Sequence, residues 1–213
     1  MIIIFNKGGL KMGYWKNNEA SEKKVLFFDA IKALDDLSYL NYYIKYQLAP
    51  VIMGVKPSVT LNIGKRQGQM VSKAKILKIV DELGLKGMVL RETKNGYIIL
   101  IYRWELLNHI LNHPRTKEVL ESLGYPLGRV YGAIAHLRKR YDFCHCPPEL
   151  GIFLGFPIED VTDYMCGTSK ACLLCGYWQV YNNVNEAEKT FRKYDAAKAH
   201  MLTYLLDQLE KTS

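Results

Sequence analysis

"GMVLRETKNGYIILIYR" (87–103) reads as a β-hairpin. Two runs rich in β-branched, aromatic and aliphatic residues flank Asn95-Gly96, a dipeptide that accepts the positive φ angles of a tight turn. The second run, 97–102, is too apolar for one face to meet water, so it belongs at the centre of a sheet, under helices. On its N-terminal side, "SVTLNI" (58–63) alternates and reads as another short strand. Further upstream, "SEKKVLFFDAIKALDDLSYLNYYIKYQL" (21–48) has apolar residues at three- and four-residue steps. It reads as a helix capped by Ser21, interrupted near 35–38, and broken by Pro50 and "GVKP". The loop "GKRQGQ" (64–69) leads into a basic amphipathic helix over 69–83 that stops at Gly84.

On the C-terminal side, helices are expected over 104–111, over 114–123 with Pro114 in its first turn, and from the "GYPLG" break to about 141. Two short helices should follow, 149–155 and 157–165, turning at Gly155-Phe156, with Ile152, Phe153, Leu154 and Phe156 mainly in the core. "GYWQVY" (176–181) reads as a strand of the same sheet as the hairpin, and 185–210 as a long closing helix. No repeat or linker interrupts this order. The expected fold is therefore α+β: a single domain over 21–213, with a small, mainly antiparallel sheet, a central Asn-Gly hairpin and several covering helices.

The chain has 213 residues, 49% of them hydrophobic and 23% charged, which suits a globular protein with a sizeable core. Its apolar runs, such as "YIILIY", are far short of a membrane span. "MIIIFNKGGLKMG" has no basic residue ahead of its apolar patch, so residues 1–20 are expected to be an arm or strand rather than a signal peptide. An odd number of cysteines, five, without an export signal points to a reducing cytoplasm. The net charge of +8 is uneven. Between Asp36 and Asp81 lie seven cations and no acid: Lys45, Lys56, Lys65, Arg66, Lys73, Lys75 and Lys78. "LRKR" (137–140) forms a second basic cluster. Such clusters serve either as solvated surface or as a site for anions, nucleic acid or an acidic partner.

Two patterns occur in order near the C-terminus: E-x-G-x-F-L-G-[YF]-P-x-E-D-V, starting at Glu149, and C-G-Y-W-x-V-Y, starting at Cys175. With "APVIMGVKPS" and the 89–103 hairpin, they make the chain resemble, from about Leu40 onward, the clostridial and Firmicutes family called domain of unknown function 3793. The resemblance implies no particular reaction. It does imply a link to anaerobic redox or iron physiology, because members often sit beside flavodoxin or iron-uptake genes. Pro148 stands where the family commonly has histidine, and Gln47-Leu48 where it often has His-Cys. Catalysis through those positions is therefore not carried over to this chain.

All five cysteines fall between 144 and 175. Cys144-x-Cys146 and Cys172-x-x-Cys175, with His145 and Cys166 nearby, have metal-ligand spacing, and the second pair also has redox spacing. The intervening apolar helices and the hydrophobic character of free thiols favour reduced structural cysteines, with the two pairs apart and no metal. Glu149, Glu159 and Asp160 could act as acid–base carboxylates or could serve helix N-termini and backbone donors. Trp178 and Tyr181, three apart, would face opposite sides of a strand. His109 and His113 are four apart near a helix end, and helix-end histidines need no metal. "GKRQGQ" could cradle an anion, though no P-loop, G-x-G-x-x-G, G-x-S-x-G or H-E-x-x-H motif is present.

Three functional readings follow. The first is binding of a small anionic ligand or an acidic, flavodoxin-like redox partner. The second is nucleic-acid binding by the 45–78 face. The third is an enzyme with its site between 149–161 and 175–181. The candidate ligand-binding residues are Lys56, Lys65, Arg66, Glu149, Asp160, Cys175, Trp178 and Tyr181. The sequence names neither a cofactor nor a reaction.

Overall fold

Three strands, β1 (Ser58–Gly64), β2 (Lys86–Thr93) and β3 (Gly96–Tyr102), form an antiparallel sheet in the order β1-β3-β2. The structure is a computed structural model and describes residues 18–66 and 68–212. The apolar run thus lies centrally, with both edges of its backbone paired: Leu61 opposite Ile99 on one side and Val89 opposite Ile99 on the other. The hairpin turn itself is Lys94-Asn95, closed by the Thr93–Gly96 pair, so Gly96 opens β3 instead of lying in the turn. Glycine is needed there for proximity. A Cβ at 96 would sit 2.5 Å from the Ile63 carbonyl oxygen of β1.

Each face of β3 is buried by a different set of helices. Tyr97, Ile99 and Ile101 pack on α2 (Asp36–Ile52) and α3 (Lys73–Glu82), through Ile44, Leu48, Ile76 and Val80. Leu100 and Tyr102 face α4 (Trp104–Leu111), α5 (Pro114–Ser122), α6 (Val130–Phe143), α7 (Leu150–Phe153) and α8 (Ile158–Met165). α9 (Val184–Thr212) closes the molecule against α2 and against α1 (Asn18–Lys32), around Phe27, Ile31, Met201 and Leu205. Among the described residues, no helix is long and apolar enough to cross a membrane.

Most helix boundaries match the sequence pattern, and the differences have local causes. α1 already runs at Asn18, so Ser21 lies within it; the expected arm at 1–20 otherwise falls outside the described residues. Asp35 supplies the expected interruption by capping α2, accepting from the Leu37 and Ser38 amides. Pro50 lies inside α2 instead of ending it. The end of the helix is held because Arg103 donates to the Val51 and Ile52 carbonyls, and the Val55 and Lys56 amides donate to that of Pro50. α3 begins at Lys73 because Ser72 caps it, while Arg66 and Gln69 bridge backbone to backbone ahead of it.

The larger correction concerns "GYWQVY". It does not join the main sheet. β4 (Leu174–Cys175) and β5 (Gln179–Val180) form a separate two-stranded hairpin instead. Backbone donors that would have extended the main ladder are taken locally: Leu173 N–H by Val180, Gly176 N–H by Trp178, and the Tyr181 and Asn182 amides by Asp160. The hairpin's apolar residues, Trp178 and Val180, pack on Ala187, Phe191 and Tyr194 of α9.

Candidate functional site

The corner between α7 and α8 is built as the sequence suggests. Gly155 adopts φ 77°, and a Cβ there would meet Pro57 at 2.6 Å, so glycine is required twice over. Ile152, Phe153 and Leu154 are buried beneath it, and Ser58 of β1 donates to the Phe153 carbonyl at 2.6 Å. Phe156 is partly buried and stacks on Trp178, with ring centroids 5.1 Å apart. This corner therefore brings the two motif segments, 149–161 and 175–181, side by side.

Between them lies a cavity of about 360 Å³. Leu150, Leu154, Phe156 and Val161 give it an apolar wall, and Trp178 with Gln179 closes the hairpin side. Cys144, His145 and Cys146 line the far end, with Tyr164 at the α8 side. His145 Nδ1 is 2.7 Å from Arg91, whose guanidinium can only donate, so the imidazole proton belongs on Nε2. Burial raises the Cys146 thiol pKa, with smaller contributions from Cys144 and Glu149.

The two motif carboxylates have different partners. Asp160 is buried and fully engaged: Trp178 Nε1 donates to it at 2.8 Å, and it accepts from the Tyr181 amide, the Asn182 amide and the Asn182 side chain. It is the clasp that holds the small hairpin to α8. Glu149 has no exposed surface. Its Oε1 accepts from Tyr125 at 3.0 Å and from Arg140 at 2.7 Å, while Oε2 is buried without a partner. Burial, then the neighbouring Glu149 carboxylate, pushes the Tyr125 phenol pKa upward. Glu159 is set apart, ion-paired with Arg115 on the surface.

The other candidate residues are dispersed. Lys56 is buried, its Nζ 5.1 to 5.7 Å from the ring centres of Phe156, Tyr177 and Tyr194. Arg66 turns back on Asp36 at 2.7 Å, on the Lys32 and Leu34 carbonyls, and on the Tyr39 ring. Lys65 is exposed beside it. Cys175 is exposed, its sulfur 2.8 Å from that of Cys172, and Tyr181 donates to the Gln179 side chain. Among the described residues, no group of three His, Cys, Asp or Glu side chains is placed to hold a metal.

The sequence carries no local signal that Tyr125, Arg140 and Tyr164 belong to this region, whereas His145 stood out beside the cysteines. Arg140 was read only as part of "LRKR", and nothing local signals that its Nε turns to a carboxylate nine residues on. A second, more polar groove of about 620 Å³ runs along β2 and α6. It brings Lys73, Arg91 and Arg138 together with Glu92 and Asp142. A family model described as protein of unknown function (DUF3793) matches residues 44–212. No curated protein and no solved structure matches the chain.

Proposed function

The chain belongs to the DUF3793 family, and on that premise we propose that it is a small-molecule-binding protein whose ligand occupies the cavity between the family's two motif segments. One observation carries this reading: an apolar cavity of about 360 Å³, walled by residues of both motifs, among them the buried Asp160. That size and lining fit a compact ring compound, with a polar edge directed at His145 and the Cys144 and Cys146 thiols. The cavity is lined from 149–161 and 175–181, the two segments between which the enzyme reading of the sequence put its site. The chemistry differs from an anionic ligand, because Lys56, Lys65 and Arg66 do not line this cavity.

Anilinonaphthalenesulfonate, an apolar fluorescent anion, is the probe. One saturable site is expected, weakened about tenfold (~1.4 kcal/mol) by Gln179→Trp, which fills the mouth, and less by Tyr164→Ala. Unchanged affinity in both variants would overturn the reading. A second reading, binding of a phosphorylated ligand, is favoured by three cations, Lys73, Arg91 and Arg138, lining the polar groove. Titration with inorganic phosphate should then show a site that Arg138→Ala abolishes. No difference between the wild type and that variant removes it.

A further inference from the structure

Cys172 and Cys175 are three residues apart in sequence, and their sulfurs are 2.8 Å apart in space. That is inside ordinary sulfur contact and only about 0.8 Å beyond the ~2.05 Å of a bonded pair. The surrounding hairpin holds them there. Leu173 N–H donates to Val180 at 2.8 Å, Leu174 pairs with Val180, and Cys175 pairs with Gln179. Asp160 pins the following residues through Trp178, Tyr181 and Asn182. Bond formation between the sulfurs therefore needs no rearrangement of the fold. The two thiols are also unequal. Cys175 is exposed, whereas Cys172 is half-buried and lies 3.4 Å from the Leu174 carbonyl. Burial, and then the hydrogen bond with Cys175, holds the Cys172 thiol pKa up at about 11. At 2.8 Å, Cys172 S–H is within hydrogen-bond reach of the Cys175 sulfur and can donate to it when Cys175 is a thiolate.

We propose that Cys172 and Cys175 form a thiol–disulfide exchange site that reduces a disulfide substrate, with Cys175 as the attacking sulfur and Cys172 as the resolving one. The Cys175 thiolate attacks one sulfur of the substrate RS–SR, forms a mixed disulfide, and expels RS⁻. Cys172, losing its proton to solvent, then attacks the Cys175 sulfur, closes the Cys172–Cys175 bond and expels the second RS⁻. Two electrons pass from the dithiol to the substrate, and the two protons released by the cysteines complete two RSH molecules. Regeneration requires an external dithiol. Cys175 lies directly opposite Gln179, which lines the apolar cavity, so a disulfide approaching the hairpin reaches the cavity mouth as well. The site does not depend on what the cavity holds.

The test uses the full-length reduced protein, glutathione disulfide as the small substrate, and insulin as a protein substrate, followed by intact-mass spectrometry. Wild type should become two hydrogens lighter, with the bond mapped to Cys172–Cys175 and two glutathione molecules released per chain. Cys172→Ser should stop at one glutathionyl group on Cys175, and Cys175→Ser should react about tenfold more slowly, at the rate of the exposed Cys166. Insulin reduction supported by dithiothreitol would identify a protein disulfide as substrate; exchange with glutathione disulfide alone would identify a small one. Accumulation of the adduct on Cys172 instead, or reaction of Cys175 no faster than Cys166, would overturn the proposal. So would failure of the intramolecular bond to form. Anilinonaphthalenesulfonate affinity, read on the same variants, separates this result from the fate of the cavity reading.

Discussion

Lys56 shows how one residue's position changes its meaning. Read in sequence, it belongs to a basic stretch; in the fold it is 3% exposed, under Phe156, Tyr177 and Tyr194. Burial, reinforced by the nearby Lys198 ammonium, lowers its pKa from 10.5 to about 7. Between those values the unfolded chain binds a proton at Lys56 that the folded chain does not, so stability rises with pH across that window and levels off below it. The slope is about 1.4 kcal/mol per pH unit at most. Above pH 10 the phenols of Tyr194, buried, and Tyr177, partly buried and hydrogen-bonded to Asp195, have raised pKa values and act in the opposite direction. Urea denaturation at pH 7 and pH 9 should show wild type more stable at the higher pH. Lys56→Met should be more stable than wild type at pH 7 and nearly flat between the two; equal slopes would refute the assignment. Gly96 gives a second test at this scale. Gly96→Ala puts a methyl against backbone, 2.5 Å from the Ile63 carbonyl, whereas at Gly64 the nearest atom to a Cβ is 3.5 Å away. The first change should cost roughly 1–3 kcal/mol in urea denaturation, and Gly64→Ala clearly less.

At the scale of elements, the small β4–β5 hairpin depends on one carboxylate. Asp160 Oδ1 accepts three hydrogen bonds from Tyr181 and Asn182, and Oδ2 accepts the Trp178 indole N–H. In Asp160→Asn the amide can reproduce one oxygen, but its NH₂ then faces another donor. A loss of roughly 1–3 kcal/mol is expected. Hydrogen exchange should show residues 173–182 losing protection while β1 and β3 keep theirs. Equal loss in both sheets would mean that the hairpin is not a separately held element. These bonds also explain why the strand-like pattern of "GYWQVY" was misplaced. Alternation and β-branching report that a segment will be extended, but not which neighbour takes its hydrogen bonds. Here that choice fell to an acidic side chain on α8 and to the aromatic residues of α9.

For the whole molecule, the sheet has helices on both faces, and α9 closes a third cluster around Phe27, Tyr46, Leu202 and Leu205. Leu205→Asp would bury a charge in that third cluster without touching the sheet. Hydrogen exchange should then accelerate in α1 and the second half of α9, with β3 the last segment to exchange. Simultaneous loss everywhere would show instead a single cooperative unit. By itself the sequence determined the α+β class, the central place of 97–102, the corner at Gly155 and the long last helix. Each of those rests on local signals: hydrophobic periodicity, a glycine with a special backbone requirement, or an uninterrupted helical pattern. It also marked Glu149, Asp160, Cys175 and Trp178, but not what each does. Only the tertiary structure decided that Asp160 is a clasp, that Glu149 keeps one buried oxygen unpartnered, and that Lys56, Arg66 and Lys73 of the basic stretch take separate partners. Lys56 went into an aromatic cage, Arg66 to the end of α1, and Lys73 to Glu92, 19 residues away. The reason is physical: charge and hydrogen-bond partners are chosen by proximity in space, and a side chain's neighbours across elements leave no periodic trace along the chain.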